Sequence, residues 1–192
     1  MGNREALVEG AKACLLEKGY NRTTARDIAT AAGVSLAAIG YHFGSKEALL
    51  NEAMRAALDD WGADVAKTMG AGPSGANAYE RFVDTWRLSI STLSAQSVKA
   101  LWATQFEVLS LGTQPELLAE LSKLQGEARE GVANLFGGVD PDADPDTVQR
   151  IGSVFQALLL GVVALYLFDP EKAPTGEDIA YAITVMAERL KD

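Results

Sequence analysis

The stretch TTARDIATAAGVSLAAIGYHFGSKEALL, residues 23–50, decides the fold of this chain. Apolar residues recur along it at spacings of three and four, which predicts short helices packed against each other. Ala29 is small enough to keep their crossing close, and Gly33 permits the positive φ of a tight turn. The segment predicts a helix-turn-helix, in which the helix starting at Ser35 would enter a DNA major groove. These residues alone are equally typical of an ordinary helical hairpin.

Polar residues mark the starts of the helices around this motif. Thr24 followed three residues later by Asp27 predicts a capping box. Ser35 is the predicted cap of the next helix, and Ser45 is the predicted cap of a fourth. An apolar stripe continues along that fourth helix to Val65, which makes it about six turns long at roughly 3.6 residues per turn.

The remainder of the chain also predicts helices, because apolar residues keep these spacings and no stretch alternates as a strand would. GAGPSGAN, residues 70–77, is the clearest linker. We expect a further helix to start at Pro115 and two final helices to cover about residues 147–168 and 177–191. The predicted fold class is therefore all-α.

Charge is distributed unevenly along the 192 residues, whose net charge is −9. The first 50 residues hold six Lys/Arg and five Asp/Glu, so the acidity belongs to the rest of the chain. A near-neutral head can still contact phosphates if its cations face one way. The single cysteine, Cys14, excludes an internal disulfide framework. With a longest apolar run of 12 residues, Ala157 to Phe168, we expect a cytoplasmic protein without a membrane partner.

The residues after the turn indicate a more specific class of protein. Tyr41-His42-Phe43, followed by GSKEALL, resembles the sequence that closes the DNA-binding head of TetR-family regulators. The resemblance extends over the whole of residues 23–50. It implies a three-helix DNA-binding domain at residues 1–46, joined by the long fourth helix to a helical effector-binding and dimerisation domain at residues 47–192. The implied function is a repressor that a small-molecule effector releases from a palindromic operator, although an activator would have the same sequence features. The aromatic residues of the middle helices, considered below, indicate that this effector is largely apolar or aromatic.

The resemblance also implies roles for individual residues. Residues at helix starts and at the end of the recognition helix would contact the DNA backbone, because helix N-termini and cations attract phosphate; these are Thr24, Arg26, Tyr41, His42 and Lys46. The residues that would face base edges are Ser35, Leu36, Ala37 and Ala38. Leucine and alanine offer only apolar contact to thymine methyl groups, so specificity would depend partly on Ser35, water or DNA shape.

Gly40 departs from the family pattern, which usually has a tyrosine immediately before Tyr41. A glycine inside a helix costs about 1 kcal/mol relative to alanine. Relaxed constraint is one explanation. The other, which we favour, is that Gly40 lets the helix backbone approach the groove closely.

Bulky residues in the middle helices are candidates for an effector site. These are Trp86, Trp102, Phe106 and Phe155, although aromatic residues at helical spacing are more often plain core. Gln105 shares a helix face with Trp102, and a polar amide on that face needs a protein, water or ligand partner. We therefore predict a ligand site formed by these five residues.

The last two helices carry more apolar surface than one core can use. In the first of them, Val148, Phe155 and Val162 lie on one broad side, whereas Val154, Leu160, Leu165 and Phe168 lie on others. The final helix has its own stripe of Ile179, Ile183, Met186 and Leu190. The surplus predicts a homodimer with two-fold symmetry through these helices.

Catalysis and metal binding find little support in the sequence. His42 is the only histidine, which excludes a histidine-based metal cluster. Alternating aspartates at 140–146 favour a solvated loop and helix cap over a calcium site. No nucleophile–base pair or cofactor motif occurs. The alternative function is a helical small-molecule-binding protein or enzyme with a vestigial DNA-binding head.

Overall fold

The computed structural model describes residues 2–70, 77–110, 115–140 and 142–191, and these ranges contain helices and no strands. The all-α prediction is confirmed. The helices are α1 (Asn3–Lys18), α2 (Ala25–Ala32), α3 (Ala37–Phe43), α4 (Lys46–Gly70), α5 (Ala78–Thr92), α6 (Gln96–Ser110), α7 (Pro115–Gly137), α8 (Pro145–Phe168) and α9 (Gly176–Arg189). Most of the predicted linker, residues 71–76, lies outside the described residues.

Side-chain caps define several of these helix starts. Asp144 accepts a hydrogen bond from the amide of Thr147 at 3.0 Å, so the acidic loop ends in a helix cap as predicted. α8 consequently starts two residues earlier than the sequence indicated. α9 begins with a capping box, in which Thr175 accepts from the amide of Asp178 at 3.2 Å.

The chain divides into two compact units. We call Met1–Trp61 with Ala95–Ala119 the head unit, and Gly62–Ser94 with Glu120–Asp192 the body unit. The head unit therefore includes α6, which packs on α1 although the two helices are far apart in the sequence. The functional division into residues 1–46 and 47–192 stays a prediction.

The head unit has a continuous apolar core. Its fully or almost fully buried side chains are Leu7, Ala11, Leu15, Ile28, Ile39, Leu49, Leu50 and Ala53. Cys14 is 4% exposed within this core, and burial raises the pKa of its thiol. A buried thiol of this kind behaves as a small apolar side chain.

In the body unit, α5 packs on α9, and α7 approaches α8 closely. A Cβ on Gly152 would lie 2.3 Å from the carbonyl oxygen of Arg129, so only glycine fits at this crossing. Leu159, Val162 and Val163 bury one side of α8.

The opposite side of α8 is exposed and apolar. Only 22% of its most apolar 18-residue window is buried. By length and composition alone this helix is long enough to cross a membrane, so the short apolar run did not by itself exclude a span; core helices of soluble proteins pass the same test. The exposed stripe consists of Val154, Ala157, Gly161, Leu165 and Phe168.

Candidate nucleic-acid interface

The start of α2 and the following turn have the predicted geometry. Thr24 accepts a hydrogen bond from the amide of Asp27 at 3.2 Å, and Asp27 accepts from the amide and hydroxyl of Thr24 at 2.9 and 2.6 Å. Gly33 has the left-handed conformation, with φ 66° and ψ 28°, and the amide of Val34 reaches back to the carbonyl of Ala29 at 3.1 Å. The capping box and the tight turn are both confirmed.

The start of α3 differs from the prediction. The helix begins at Ala37 with Leu36 as its N-cap, and no side chain caps it, so the predicted cap at Ser35 is wrong. The backbone explains the difference: the amide of Ala38 bonds to the carbonyl of Ser35 at 3.0 Å, and the amide of Ile39 bonds to that of Leu36 at 3.2 Å. A tight turn of this kind satisfies the first amides without a hydroxyl.

α4 begins as predicted, because Ser45 accepts from the amide of Ala48 at 3.0 Å. Lys46 has a role that the sequence did not reveal. Its ammonium donates to the carbonyl of Thr23 at 3.2 Å and lies 3.3 Å from the carboxylate of Glu47. Lys46 therefore ties the start of α4 to the segment before α2.

Most of the residues predicted to contact DNA are exposed in the head unit. The exposed ones are Thr24, Arg26, Ser35, Leu36, Ala37, Gly40 and Tyr41, and the half-buried ones are Ala38, His42 and Lys46. Tyr41 is 86% exposed and Leu36 is 51% exposed, whereas Ile39 of the same helix is only 4% exposed. One face of α3 is thus buried in the head unit, and the other face is exposed to solvent. A Cβ on Gly40 would meet nothing within 4 Å.

The cations of the head unit differ in whether a carboxylate pairs with them. Arg4, Lys12 and Lys18 each form an ion pair with a carboxylate of the head unit. A hydrogen bond from Lys18, and further ones from Thr24, hold the pKa of Asp27 well below its usual range. Among the described residues, Arg22 and Arg26 have no carboxylate partner, so their charges remain available to an anion.

Glu107 of α6 reaches the same region and was missed by the sequence analysis. Its carboxylate accepts hydrogen bonds from the amide of Tyr20 at 2.9 Å and from the amide of Asn21 at 3.1 Å. No signal in the sequence pointed to this contact, because a glutamate on a helix is usually solvated and its partners lie more than 80 residues away.

The five predicted ligand residues fall into two groups. Trp102, Gln105 and Phe106 belong to α6 in the head unit, where Trp102 packs edge to face on Trp61 with ring centroids 5.3 Å apart. Trp102 and Gln105 are buried, and Phe106 is half-buried. Neither Trp102 Nε1 nor Gln105 Oε1 has a hydrogen-bond partner in the described part of the chain.

Trp86 and Phe155 belong to the body unit, with ring centroids 6.5 Å apart. They share an aromatic cluster with Phe82 and Phe136, neither of which the sequence analysis had singled out. Trp86 is fully buried, and its Nε1 also has no hydrogen-bond partner among the described residues.

Comparison with known proteins agrees with the geometry of the head. Residues 7–53 match the family model described as "Bacterial regulatory proteins, tetR family". The chain is also 30% identical over 152 residues to the HTH-type transcriptional repressor KstR2 of Mycobacterium tuberculosis (strain CDC 1551 / Oshkosh), a match covering 77% of this chain and 74% of that repressor. This chain belongs to the TetR family.

Other TetR-family comparisons extend over different lengths. The KstR2 repressor of Rhodococcus jostii (strain RHA1) is 33% identical over 129 residues, which cover 67% of this chain and 61% of that protein. A transcriptional regulator from Pseudomonas aeruginosa PAO1 has the same fold, with a TM-score of 0.62, 22% identity, and coverage of 97% of this chain and 89% of that chain. The resemblance seen in residues 23–50 is thereby confirmed, and the chain is a transcriptional regulator by family.

Proposed function

We propose that this TetR-family regulator is a repressor that binds a palindromic operator as a homodimer and is released by a small, largely apolar or aromatic effector. The observation that carries the DNA-binding part is the exposed surface of α3 beside two capped helix starts. Leu36 and Tyr41 are large, exposed side chains on a helix whose opposite face is buried. Exposure of this kind is expected where a partner covers the surface.

The starts of α2 and α4 are suited to phosphate. Backbone amides at a helix N-terminus and its dipole favour an anion, and the starts of both helices are linked through Lys46 and the Thr23 carbonyl. Thr24, Arg26 and Lys46 would contact the DNA backbone there, and Tyr41 and His42 would do so from the end of α3. The Thr24 hydroxyl and amide already bind Asp27, so contact with a phosphate requires them to share or exchange that partner.

Base recognition would come from Ser35, Leu36, Ala37 and Ala38, with Gly40 permitting a close approach of the backbone. Three of these side chains are apolar, so thymine methyl groups and DNA shape would supply much of the specificity. A regulator of this kind gains affinity chiefly from phosphate contacts and selectivity from a few positions of α3.

The exposed apolar surface of α8 and α9 supports the homodimer. Val154, Ala157, Gly161, Leu165 and Phe168 recur at spacings of three and four, with two small residues in the middle that would let a second helix approach closely. Of the stripe predicted on α9, Ile179 is buried, whereas Met186 is 62% and Leu190 is 85% exposed. A second copy of the chain would cover both surfaces, as in a four-helix interface.

The buried polar atoms of α6 support the effector site. Trp102 Nε1 can only donate a hydrogen bond, so a ligand bound there would offer an acceptor oxygen or nitrogen. The surrounding indole rings of Trp61 and Trp102 favour an apolar or aromatic body for that ligand. Gln105 would orient it.

The alternative, a ligand-binding protein or enzyme with a vestigial head, is less well supported. Its head would have no need of intact caps at α2 and α4 together with an exposed recognition surface. The curated relatives are named as repressors, which also favours a regulator over an enzyme, acting in the cytoplasm where its DNA is.

Selection of bound sequences from random duplex DNA tests the DNA-binding proposal. We expect enrichment of a site with two-fold symmetry and half-sites about one helical turn, roughly 34–36 Å, apart or a multiple of it. Enrichment of nothing over the input would contradict it. Release is then tested by screening small aromatic and alicyclic compounds for loss of operator binding; Trp102→Ala or Gln105→Ala should remove the response while leaving operator affinity intact.

A further inference from the structure

Glu107 binds the backbone of the segment that connects α1 to α2. One carboxylate oxygen accepts from the amide of Tyr20 at 2.9 Å and the other accepts from the amide of Asn21 at 3.1 Å. Gly19, with φ 79°, precedes them, and a Cβ there would lie 2.8 Å from Glu107 Oε2. The carboxylate therefore sits directly against the main chain and holds two consecutive amides. Hydrogen bonds to an ionised acceptor are among the stronger ones in proteins.

The segment that Glu107 holds leads into the proposed DNA contacts. Tyr20 is fixed further by its hydroxyl, which donates to Asn51 Oδ1 at 3.0 Å in the core. Thr23 follows and accepts from Lys46, and Thr24 caps α2. The two amides that Glu107 binds lie four and three residues before Thr24, the cap of α2. Displacement of this segment would therefore displace the start of α2.

The same helix carries the two unpartnered polar atoms. Gln105 and Glu107 are two residues apart, which places their side chains on different faces of α6. Next to them, the hydroxyl of Thr104 reaches the carbonyl of Leu15 in α1 at 3.4 Å. α6 therefore contacts α1 and the segment after it on one face and has buried, unsatisfied groups on another.

We propose that Glu107 is a positioning residue that couples α6 to operator binding. It holds the α1–α2 segment in the conformation that presents Thr24 and Arg26 to phosphate, and a shift of α6 on effector binding would move that segment through the carboxylate. This inference rests on the proposed function. Because coupling between two sites is reciprocal, operator DNA must also change the surroundings of Trp102 through the same contact.

Glu107→Gln tests this proposal with little change in size. The amide keeps one acceptor oxygen but replaces the other with an NH₂ group, which cannot accept. We expect operator affinity to fall by about tenfold, within the roughly 5–150-fold range typical of coupling between sites. Glu107→Asp, which keeps the charge but shortens the side chain, should change affinity in the same direction. Glu130→Gln, at an exposed position of α7, is the matched control and should leave affinity unchanged.

The indole N–H resonance of Trp102, identified by its loss in Trp102→Phe, separates coupling from a purely structural role. Saturating operator should shift this resonance in the wild type and in Glu130→Gln, and leave it unmoved in Glu107→Gln. Circular dichroism checks that each variant is folded.

Two results would overturn the inference while the proposed function stands: unchanged operator affinity in both Glu107 variants, or a Trp102 resonance in Glu107→Gln that still shifts with operator. Absence of specific DNA binding by the wild type would instead refute the proposed function, and the inference with it.

Discussion

The ammonium of Lys46, the first residue of α4, donates a hydrogen bond to the carbonyl of Thr23, 3.2 Å away and directly before the cap of α2. The side chain of Lys46 is 27% exposed, so it is neither a free surface cation nor a buried one. This contact holds the starts of α2 and α4 together. Those two helix starts are the places where the proposed function requires phosphate.

Replacing Lys46 by alanine should weaken operator binding similarly for all sequences. The salt dependence of the affinity should also become less steep by about 1, because one cation no longer displaces a counterion. Lys123→Ala, at an exposed lysine of α7, is the control and should change neither quantity. Titrations of labelled duplex at several salt concentrations measure both. If Lys46→Ala binds the operator with unchanged affinity, Lys46 does not contact the DNA.

Gly40→Ala should change the stability of the protein and its affinity for DNA in opposite directions. A Cβ at this position has open space around it and the helix gains from alanine, so the free energy of unfolding should rise by about 1 kcal/mol. Operator affinity should fall, because the added methyl group keeps the backbone of α3 away from the groove. Gly131→Ala is matched, since it too is helical and unobstructed, and should stabilise without affecting DNA binding. If Gly40→Ala binds operator as well as the wild type, the close-approach explanation is wrong.

The pH dependence of stability should report the Asp27 contacts. Hydrogen bonds from Lys18 and Thr24 lower the pKa of this carboxyl in the folded state, so the stabilisation is complete above its unfolded value of about 3.9 and is lost as the pH falls further. Denaturant unfolding should show Asp27→Asn less stable than the wild type at neutral pH, with the difference shrinking below about pH 4. Lys18→Met should weaken the same pH dependence. A difference that stays constant down to pH 2 would contradict this assignment.

The predicted homodimer can be tested by introducing a charge at two positions whose side chains are equally exposed. Leu165, in the exposed stripe of α8, is 53% exposed, and Tyr79 of α5 is 54% exposed. Leu165→Glu should shift the protein to monomer, because an unpaired charge cannot be buried at low cost. Tyr79→Glu should leave the dimer intact. Analytical ultracentrifugation at micromolar concentration distinguishes these states, and a wild-type monomer there would exclude the proposed interface.

Local sequence signals predicted the local features of the head. The capping box at Thr24, the left-handed turn at Gly33 and the cap at Ser45 each depend on residues within four positions of one another, so sequence spacing determines them. The cap at Ser35 failed because a tight backbone turn satisfied the first amides of α3 instead. A serine before a helix is therefore not a sufficient signal, because Ser45 caps α4 whereas Ser35 does not cap α3.

Long-range features could not be predicted in the same way. Glu107 and Tyr20 are 87 residues apart, and nothing in either neighbourhood indicates the other. The five aromatic and polar residues expected at one ligand site belong to two units for the same reason: helical spacing shows which residues share a face, but not which faces meet. The surplus of apolar surface on α8 was predictable because it depends on composition around a single helix.

The ratio of affinities for the selected operator and for mixed-sequence duplex, measured with the wild type at physiological salt, tests sequence-specific DNA binding most directly. A specific regulator binds its site roughly 10³–10⁷ times more tightly than other DNA. We predict a ratio of at least about 10³, reduced by changes at Leu36 or Ala37 that leave the non-specific affinity unchanged. A ratio near one would contradict the account.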